Sequence, residues 1–143
     1  MSYINQIAQE AKAKAREDAL EEQKKKREYE DRIIADIISI IRNHIKNTIA
    51  DNPNRKSHST KFEITRRYRE GGLDDIKLER LQFAKKKSYR EMVIPVGSNV
   101  NYVREQIEKE LISWGIDCVK VKAIFIKTYY SNGYYFRISL KWS

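Results

Sequence analysis

The sequence contains few of the residues that mark a disulfide-stabilised, zinc-binding or membrane-spanning protein. Its single cysteine, Cys118, excludes an internal disulfide framework and a multi-cysteine zinc site. The longest uninterrupted apolar run has four residues, Ala123–Ile126, whereas a membrane-spanning helix needs about 20. The first residues also lack the apolar core of a signal peptide. We therefore expect a protein of the cytoplasm that has no contact with a membrane.

The sequence also lacks the motifs that carry most enzyme chemistry. It contains no GxxxxGK[ST] or GxGxxG loop, and no nucleophile motif surrounds Cys118, which we expect to be a small buried residue. His44 and His58 have no acidic cluster near them, so we predict no metal site and no cofactor. Asp75-Ile76-Lys77 with Glu63 matches the acid-x-Lys element of many nuclease cores, but a chain that is 34% charged yields such a tripeptide by chance. We therefore predict a protein that is not an enzyme.

Positive charge is in excess, but only in one part of the chain. The 143 residues include 29 lysines and arginines against 20 aspartates and glutamates, which gives a net charge of +9. Residues 1–50 contribute +1 of this charge and residues 51–143 contribute +8. A basic domain attracts polyanions through its long-range field and through counterion release, although such a charge also serves solubility.

Residues 3–32 have the composition of a solvated helix, because alanine is frequent and both glycine and proline are absent. A thin apolar stripe stops near Arg16, and thirteen of the seventeen residues 16–32 are charged, so no heptad seam is present. We predict a charged N-terminal helical extension over residues 1–32 and a basic α+β domain over residues 33–143. Glu-to-Lys/Arg pairs at a spacing of four residues support the extension: Glu10–Lys14, Glu21–Lys25, Glu22–Lys26 and Glu28–Arg32.

The hydrophobic pattern of the domain changes between helical and strand periods in the order α-β-β-β-α-β-β. Ser131-Asn132-Gly133 has the composition of a hairpin turn, and a slip in the alternation near Lys122–Ile124 indicates either a bulge or two buried faces. The predicted helices cover 33–50 and 99–114, and a loop is predicted at 51–60. The predicted strands cover 61–69, 73–84, 89–96, 117–130 and 134–142. For residues 73–84 a helix is the alternative.

This order predicts an α+β fold in which a long N-terminal helix precedes a mainly antiparallel sheet. Both domain helices should lie on one face of the sheet. The other face should be open, wholly or in part.

The open sheet face and the hairpin tip are the most function-like surfaces of the predicted fold. Basic residues interleaved with aromatic ones suit single-stranded nucleic acid, because bases stack on rings while phosphates meet cations. A tyrosine-rich tip suits a protein partner equally well, and an ordinary solvated strand face needs neither. The candidate contact residues are Arg67, Arg69, Lys120, Lys122, Tyr129, Tyr130, Tyr135, Arg137 and Lys141.

A short basic run, Lys85, Lys86 and Lys87, adds a second candidate contact for phosphate. Such a run is more often a solvated turn between two elements, and we favour that interpretation while keeping the three lysines among the candidates.

The C-terminal block joins an amphipathic helix, a glycine and a hairpin. It runs from Glu110 to Lys122 and continues from Tyr134 to Trp142. Over about residues 98–143 this pattern resembles the ending of many small phage and prophage proteins from low-GC Gram-positive bacteria. Some small basic phage proteins of this style inhibit host defence nucleases, including CRISPR effectors. The resemblance thus implies an inhibitor that acts in the host cytoplasm.

Three functions follow from these observations as hypotheses. The first is a non-enzymatic phage or mobile-element protein that binds and blocks a host nucleic-acid-handling protein or nucleoprotein, in the manner of an anti-CRISPR. The second is a protein that binds RNA or DNA directly. The third is a structural or assembly protein that oligomerises through its N-terminal helix.

Overall fold

The computed structural model describes residues 2–67, 71–78, 91–127 and 132–143. Two helices and five strands occur in these ranges, and they confirm the predicted α+β class with a long N-terminal helix before an antiparallel sheet. In chain order the elements are α1 (Tyr3–Asp51), β1 (His58–Arg66), β2 (Leu73–Lys77), β3 (Ile94–Pro95), α2 (Val100–Ser113), β4 (Cys118–Lys127) and β5 (Asn132–Trp142).

Helix α1 is a single helix of 49 residues that joins the predicted extension to the first helix of the domain. No glycine or proline interrupts it. At its start the Ser2 hydroxyl accepts the backbone N–H of Asn5 at 3.2 Å. At its end the N–H of Asn52 reaches the carbonyl of Ile49, and Pro53 prevents continuation. Every side chain from Ser2 to residue 28 is exposed, and burial begins at Tyr29 and Glu30.

The core lies between the two helices and one face of the sheet. Ile37 and Ile41 of α1 and Ile107 of α2 are fully buried against Phe62 and Ile138 of the sheet. Each such side chain contributes about 1.5–3 kcal/mol when it leaves water. Helix α1 contacts β1 and β2, while α2 contacts β4, so the two helices together cover one side of the sheet.

The sheet is antiparallel throughout, and β5 is its central strand. Strand β4 pairs with one edge of β5 over its whole length. Strand β1 pairs with the other edge from His58 to Ile64, and the short strand β3 continues that edge opposite Tyr134 and Gly133. Strand β2 pairs with the outer edge of β1 and follows the Gly71-Gly72 turn, which confirms the strand alternative for its residues.

The registers divide the strand residues between two faces. We call the helix-packed side the covered face; Phe62, Asp75, Val121 and Ile138 lie on it. We call the opposite side the second face. Its members are Ser59, Lys61, Glu63, Thr65, Asp74, Ile76, Cys118, Lys120, Lys122, Ile124, Ile126, Tyr135, Arg137, Ser139 and Lys141.

Two predicted strand boundaries were wrong, and a third falls outside the described residues. Strand β1 begins at His58, inside the predicted loop 51–60, because His58 to Lys61 pair with the end of β5. The predicted strand 89–96 is only Ile94–Pro95 among the described residues, since proline cannot donate a ladder hydrogen bond. Strand β4 ends at Lys127 as described, and the predicted remainder lies outside the described residues.

Asn132 and Gly133 of the predicted turn lie instead in β5, and Ser131 lies outside the described residues. Asn132 pairs with Lys127, so Asn132 and Gly133 already belong to β5. The glycine serves a close approach rather than a turn, because a Cβ atom at Gly133 would collide with the carbonyl oxygen of Ile94.

No bulge interrupts β4, whose register with β5 is continuous from Cys118 to Lys127. The slip in its hydrophobic pattern reflects the other alternative, two partly buried faces. Val119 and Val121 lie on the covered face, whereas Ile124 and Ile126 lie on the second face beside buried Tyr135.

Candidate functional site

Four lysines come together at one end of the second face, and we call them the lysine cluster: Lys61, Lys120, Lys122 and Lys141. Ser139 of β5 stands between Lys61 of β1 and Lys120 of β4 in the pairing register. Lys141 lies diagonally from Lys120, and Lys122 follows Lys120 on the same side of β4. Directly opposed Cβ atoms in such a sheet are about 5 Å apart and diagonal ones about 7–8 Å. The four ammonium groups therefore share one small patch.

All four lysines of the cluster are exposed. Within the described part of the chain, none of them forms an ion pair. Among the strand neighbours in this patch, Ser59, Ser139 and Cys118 carry no charge, and the two charged neighbours, Glu63 and Arg137, pair with each other. The patch is thus a concentration of positive charge that no nearby strand residue neutralises.

Arg137 lies beside the cluster but already has a structural partner. Its Nε and Nη2 atoms donate to Oε1 of Glu63 at 3.2 and 2.9 Å. Glu63 is 0% exposed, whereas the arginine side chain is 40% exposed. A buried carboxylate without a cation is costly, so we assign Arg137 first to the stability of Glu63.

Tyr135 shares the second face but lies toward the opposite end from Lys141. It is only 4% exposed, so its ring is not accessible for stacking with a base or for contact with a partner. Arg67 follows the end of β1, where its Nε atom lies 3.6 Å from a carboxylate oxygen of Asp74. Six other candidate residues lie outside the described residues, namely Arg69, Lys85, Lys86, Lys87, Tyr129 and Tyr130.

Lys61 is the cluster member that we did not predict as a contact residue. Its alternation placed it on the outer side of β1, but no signal in the sequence indicated that β1 pairs with β5. That pairing places Lys61 opposite Ser139 of β5, whose other neighbour is Lys120 of β4. Cys118, which we expected to be buried, is exposed, because it begins β4 on the same open end of the second face.

His44 joins α1 to two strands on the covered face. Its Nδ1 atom forms a hydrogen bond with Oδ2 of Asp75, and its Nε2 atom lies 2.6 Å from the hydroxyl of Thr60. Its ring stacks on Phe62 with 3.9 Å between centroids. The hydrogen bond from His44 lowers the pKa of Asp75 below its ordinary value, against the opposing effect of burial.

The order carboxylate, imidazole, hydroxyl is also that of a nucleophile triad. Here the imidazole of His44 is only 4% exposed and is stacked within the core. We therefore interpret the three groups as a polar tie that fixes α1 on β1 and β2. His58, at the start of β1, is likewise buried and stacks on Trp142 at 5.4 Å.

The residues of the possible nuclease element do not converge. Asp75 and Lys77 lie on the covered face, whereas Glu63 and Ile76 oppose each other on the second face. In the part of the chain that the structure describes, no group of three or more His, Cys, Asp or Glu residues is arranged to hold a metal ion.

No helix among the described residues combines the length and the apolar character needed to cross a bilayer. Comparison with protein-family models, with curated proteins and with solved structures finds no match to this chain.

Proposed function

We propose that this chain is a non-enzymatic binding protein whose lysine cluster contacts the phosphate backbone of a nucleic acid, either free or held in a host nucleoprotein. The observation that carries the proposal is the exposed, unneutralised group of Lys61, Lys120, Lys122 and Lys141 on one sheet face. Lysine binds phosphate as a point charge, and each contact releases condensed counterions.

The positive charge of the cluster favours contact with the nucleic acid over contact with the surface of a protein that binds nucleic acid. A protein that binds nucleic acid presents cations at its binding groove, and a second basic surface would be repelled there. The lysine cluster is instead complementary to the bound polyanion or to an acidic surface. In the proposal, an inhibitor of a host nucleoprotein uses these lysines on exposed nucleic acid and the exposed part of α1 as a second contact.

The contacts that we propose do not read sequence. Lysine contacts to phosphate position a protein on its ligand but carry no base information. Because Tyr135 is buried, the second face offers no stacking ring among its described residues. We therefore expect duplex and single strands of any sequence to bind, with the stronger salt dependence for the duplex.

Fluorescence anisotropy with labelled DNA and RNA, as single strands and as duplexes, tests the proposal over a range of salt concentrations. The logarithm of the binding constant should fall with the logarithm of salt concentration with a slope of about −3.6 for four contacts to duplex. Replacing all four cluster lysines by glutamine should weaken binding roughly tenfold or more at low salt.

A matched control removes four lysines from the exposed part of α1, namely Lys12, Lys14, Lys24 and Lys25. Both variants lower the net charge of +9 by the same four units. If the two variants lose equal affinity, binding depends on total charge and the cluster is not the site. Absence of binding at low salt contradicts direct nucleic-acid binding, and an acidic protein surface then becomes the candidate ligand.

The inhibitor hypothesis has its own experiment. A tagged chain expressed in its host should recover a nuclease or nucleoprotein, and nuclease treatment of the lysate should reduce that recovery if the lysines act through nucleic acid. Recovery that the quadruple glutamine variant leaves unchanged would contradict a role of the cluster in inhibition.

A further inference from the structure

The first two turns of α1 expose large apolar side chains to water. Tyr3 is 77% exposed, Ile4 is 76% exposed and Ile7 is 47% exposed. We call these three residues the helix tip. A continuous apolar group of this kind on an otherwise charged helix is typical of an interaction site.

A groove lies at the other end of the exposed part of α1, where the helix meets the domain. Its volume is about 510 Å³, and we call it the root groove. Tyr29, Pro95 and Val96 supply its apolar wall, and Val96 is 53% exposed. The remaining lining residues are Glu22, Lys25, Lys26, Gly97 and Ser98.

Ile4 of the helix tip and the root groove lie on the same side of α1. Residues 4, 11, 15, 22 and 29 are separated by seven or four positions, and at about 100° per residue their directions around an α-helix stay within about 20° of that of residue 4. Ile4, Ala11, Ala15, Glu22 and Tyr29 therefore form one line along the helix. About 37 Å separates Ile4 from Tyr29 along this line, at 1.5 Å per residue.

We infer that a second copy of this chain covers this line, with the two helices antiparallel and a twofold axis between residues 16 and 17. Ile4 of one copy then lies opposite Tyr29 of the other, and the helix tip enters the root groove at both ends. Ala11 and Ala15 at the centre leave room for a close approach of the helices. The interface is closed and self-complementary, as a twofold dimer requires.

The charge blocks of the exposed segment favour this occupant and this direction. Residues 12–16 carry three positive charges, residues 17–22 carry four negative charges, and residues 24–27 carry four positive charges. Antiparallel pairing about residues 16 and 17 places each 12–16 block against the 17–22 block of the other copy. The 24–27 block then meets the uncharged residues 6–9. A parallel pair in register would place like charges together.

Sedimentation equilibrium of the full chain, without nucleic acid, tests this dimer at concentrations up to about 1 mM, where a dimer with a dissociation constant of about 1 mM is still populated. The expected mass at high concentration is twice the chain mass of 17.0 kDa. Ile4→Asp and Val96→Asp should each raise the dissociation constant roughly tenfold or more, because each places a charge in a contact that excludes water.

Gln6→Asp is the matched control, because it introduces the same charge in the same turn on the opposite side of the helix. It should leave the dissociation constant within about twofold. All three positions are exposed, so circular dichroism should show an unchanged fold. A monomer at every concentration, or a dimer that either Ile4→Asp or Val96→Asp leaves unchanged, overturns the proposal.

Disulfide trapping determines the direction of the two helices. In a Cys118→Ser background, a mixture of the Ile4→Cys and Val96→Cys single variants should form the mixed disulfide. A disulfide between two copies of the Ile4→Cys variant would instead indicate parallel helices and overturn the antiparallel register. These measurements contain no nucleic acid, so their outcome is independent of the function proposed for the lysine cluster.

Discussion

The two parts of α1 have one continuous backbone conformation and opposite environments. The part up to residue 28 buries no side chain, whereas the part from Tyr29 onward places Ile33, Ile37 and Ile41 in the core. The exposed part is rich in alanine and charged residues, which are good helix formers. The packed part is rich in isoleucine, whose β-branched side chain lowers helix propensity.

This difference shows that two kinds of stabilisation maintain one helix. The exposed part depends on local helix propensity. None of its four predicted Glu-to-Lys/Arg pairs forms a direct ion pair. The ion pair within α1 is instead that of Arg27 with Glu30, whose Nε and Oε2 atoms are 3.9 Å apart. The packed part depends on tertiary contacts, which contribute more than propensity to most helices. Substitutions in the two parts should therefore have unequal effects on the free energy of unfolding.

The largest difference should come from truncating one isoleucine of the packed part. Ile41→Ala should lower the free energy of unfolding by about 2–5 kcal/mol, because the side chain is 0% exposed and its removal leaves a cavity. Leu20→Ala, at a position 66% exposed, should change it by less than about 0.5 kcal/mol. Urea denaturation measures both, and comparable losses would mean that the exposed part is packed in solution.

The second effect concerns the polar tie between α1 and the sheet. Asp75→Ala should lower the free energy of unfolding by about 1–3 kcal/mol near neutral pH, because His44 loses a hydrogen-bond partner in a buried place. Asn substitution at Asp75 should cost less than alanine, since the amide can still pair with the imidazole. A loss below about 0.5 kcal/mol for Asp75→Ala would contradict the importance of this tie.

The loss of stability caused by Asp75→Ala should depend on pH in a definite direction. The folded-state pKa of Asp75 lies below its ordinary value of 3.8, so its contribution to stability is present above that pH and is lost as the pH falls through the lowered pKa. The difference in the free energy of unfolding between the native chain and the Asp75→Ala variant should therefore become smaller in acid. A difference that widens below pH 3.8 would contradict the direction of the shift.

A third effect should mark the point where the two parts of α1 meet. Glu30 is 4% exposed, and its Oε1 atom accepts the backbone N–H of Asn99 at 2.9 Å, at the start of α2. Glu30→Ala should cost about 1–3 kcal/mol, because that contact and a favourable charge at a helix N-terminus are both lost. Glu28→Ala, one half turn away and exposed, is the control and should cost less than about 0.5 kcal/mol.

The smallest effect on global stability should come from breaking the exposed part itself. Ala19→Pro should lower the helical circular dichroism signal, because proline interrupts a helix at a cost of about 3 kcal/mol. At concentrations where the chain is monomeric, the urea midpoint of the domain should stay unchanged, since none of residues 2–28 is buried. A midpoint that falls with the helical signal would show that the exposed part is coupled to the domain within one chain.

Several elements were predictable because their signals are local. The four-residue spacing of Ile33, Ile37 and Ile41 predicts the packed helix, and the predicted helix 99–114 closely matches α2. The structure places Asn99 at the N-cap and gives Gly115 a φ of +84°. The alternation of Phe136 and Ile138 with Arg137 predicted the two faces of β5.

The errors occurred where a residue's role depends on a distant strand. Gly133 reads as a turn residue from its neighbours, but it is required by the approach of Ile94. The sequence predicts that Cys118 is a small buried residue, but the register places it beside Lys141 at the exposed end of the second face. Lys61 joined the cluster through the pairing of β1 with β5, which no local pattern specifies.

The sequence by itself determined the α+β class, the long helix and the concentration of +8 of the net charge in residues 51–143. These properties depend on composition and on periods of 3.6 and two residues, which short stretches of chain already contain. Only the tertiary structure decided which cations share a surface. Strand registers brought four lysines around Ser139, assigned Arg137 to buried Glu63 and covered Tyr135. The physical reason is that strand pairing joins residues far apart in the chain, and burial then depends on every element that packs there.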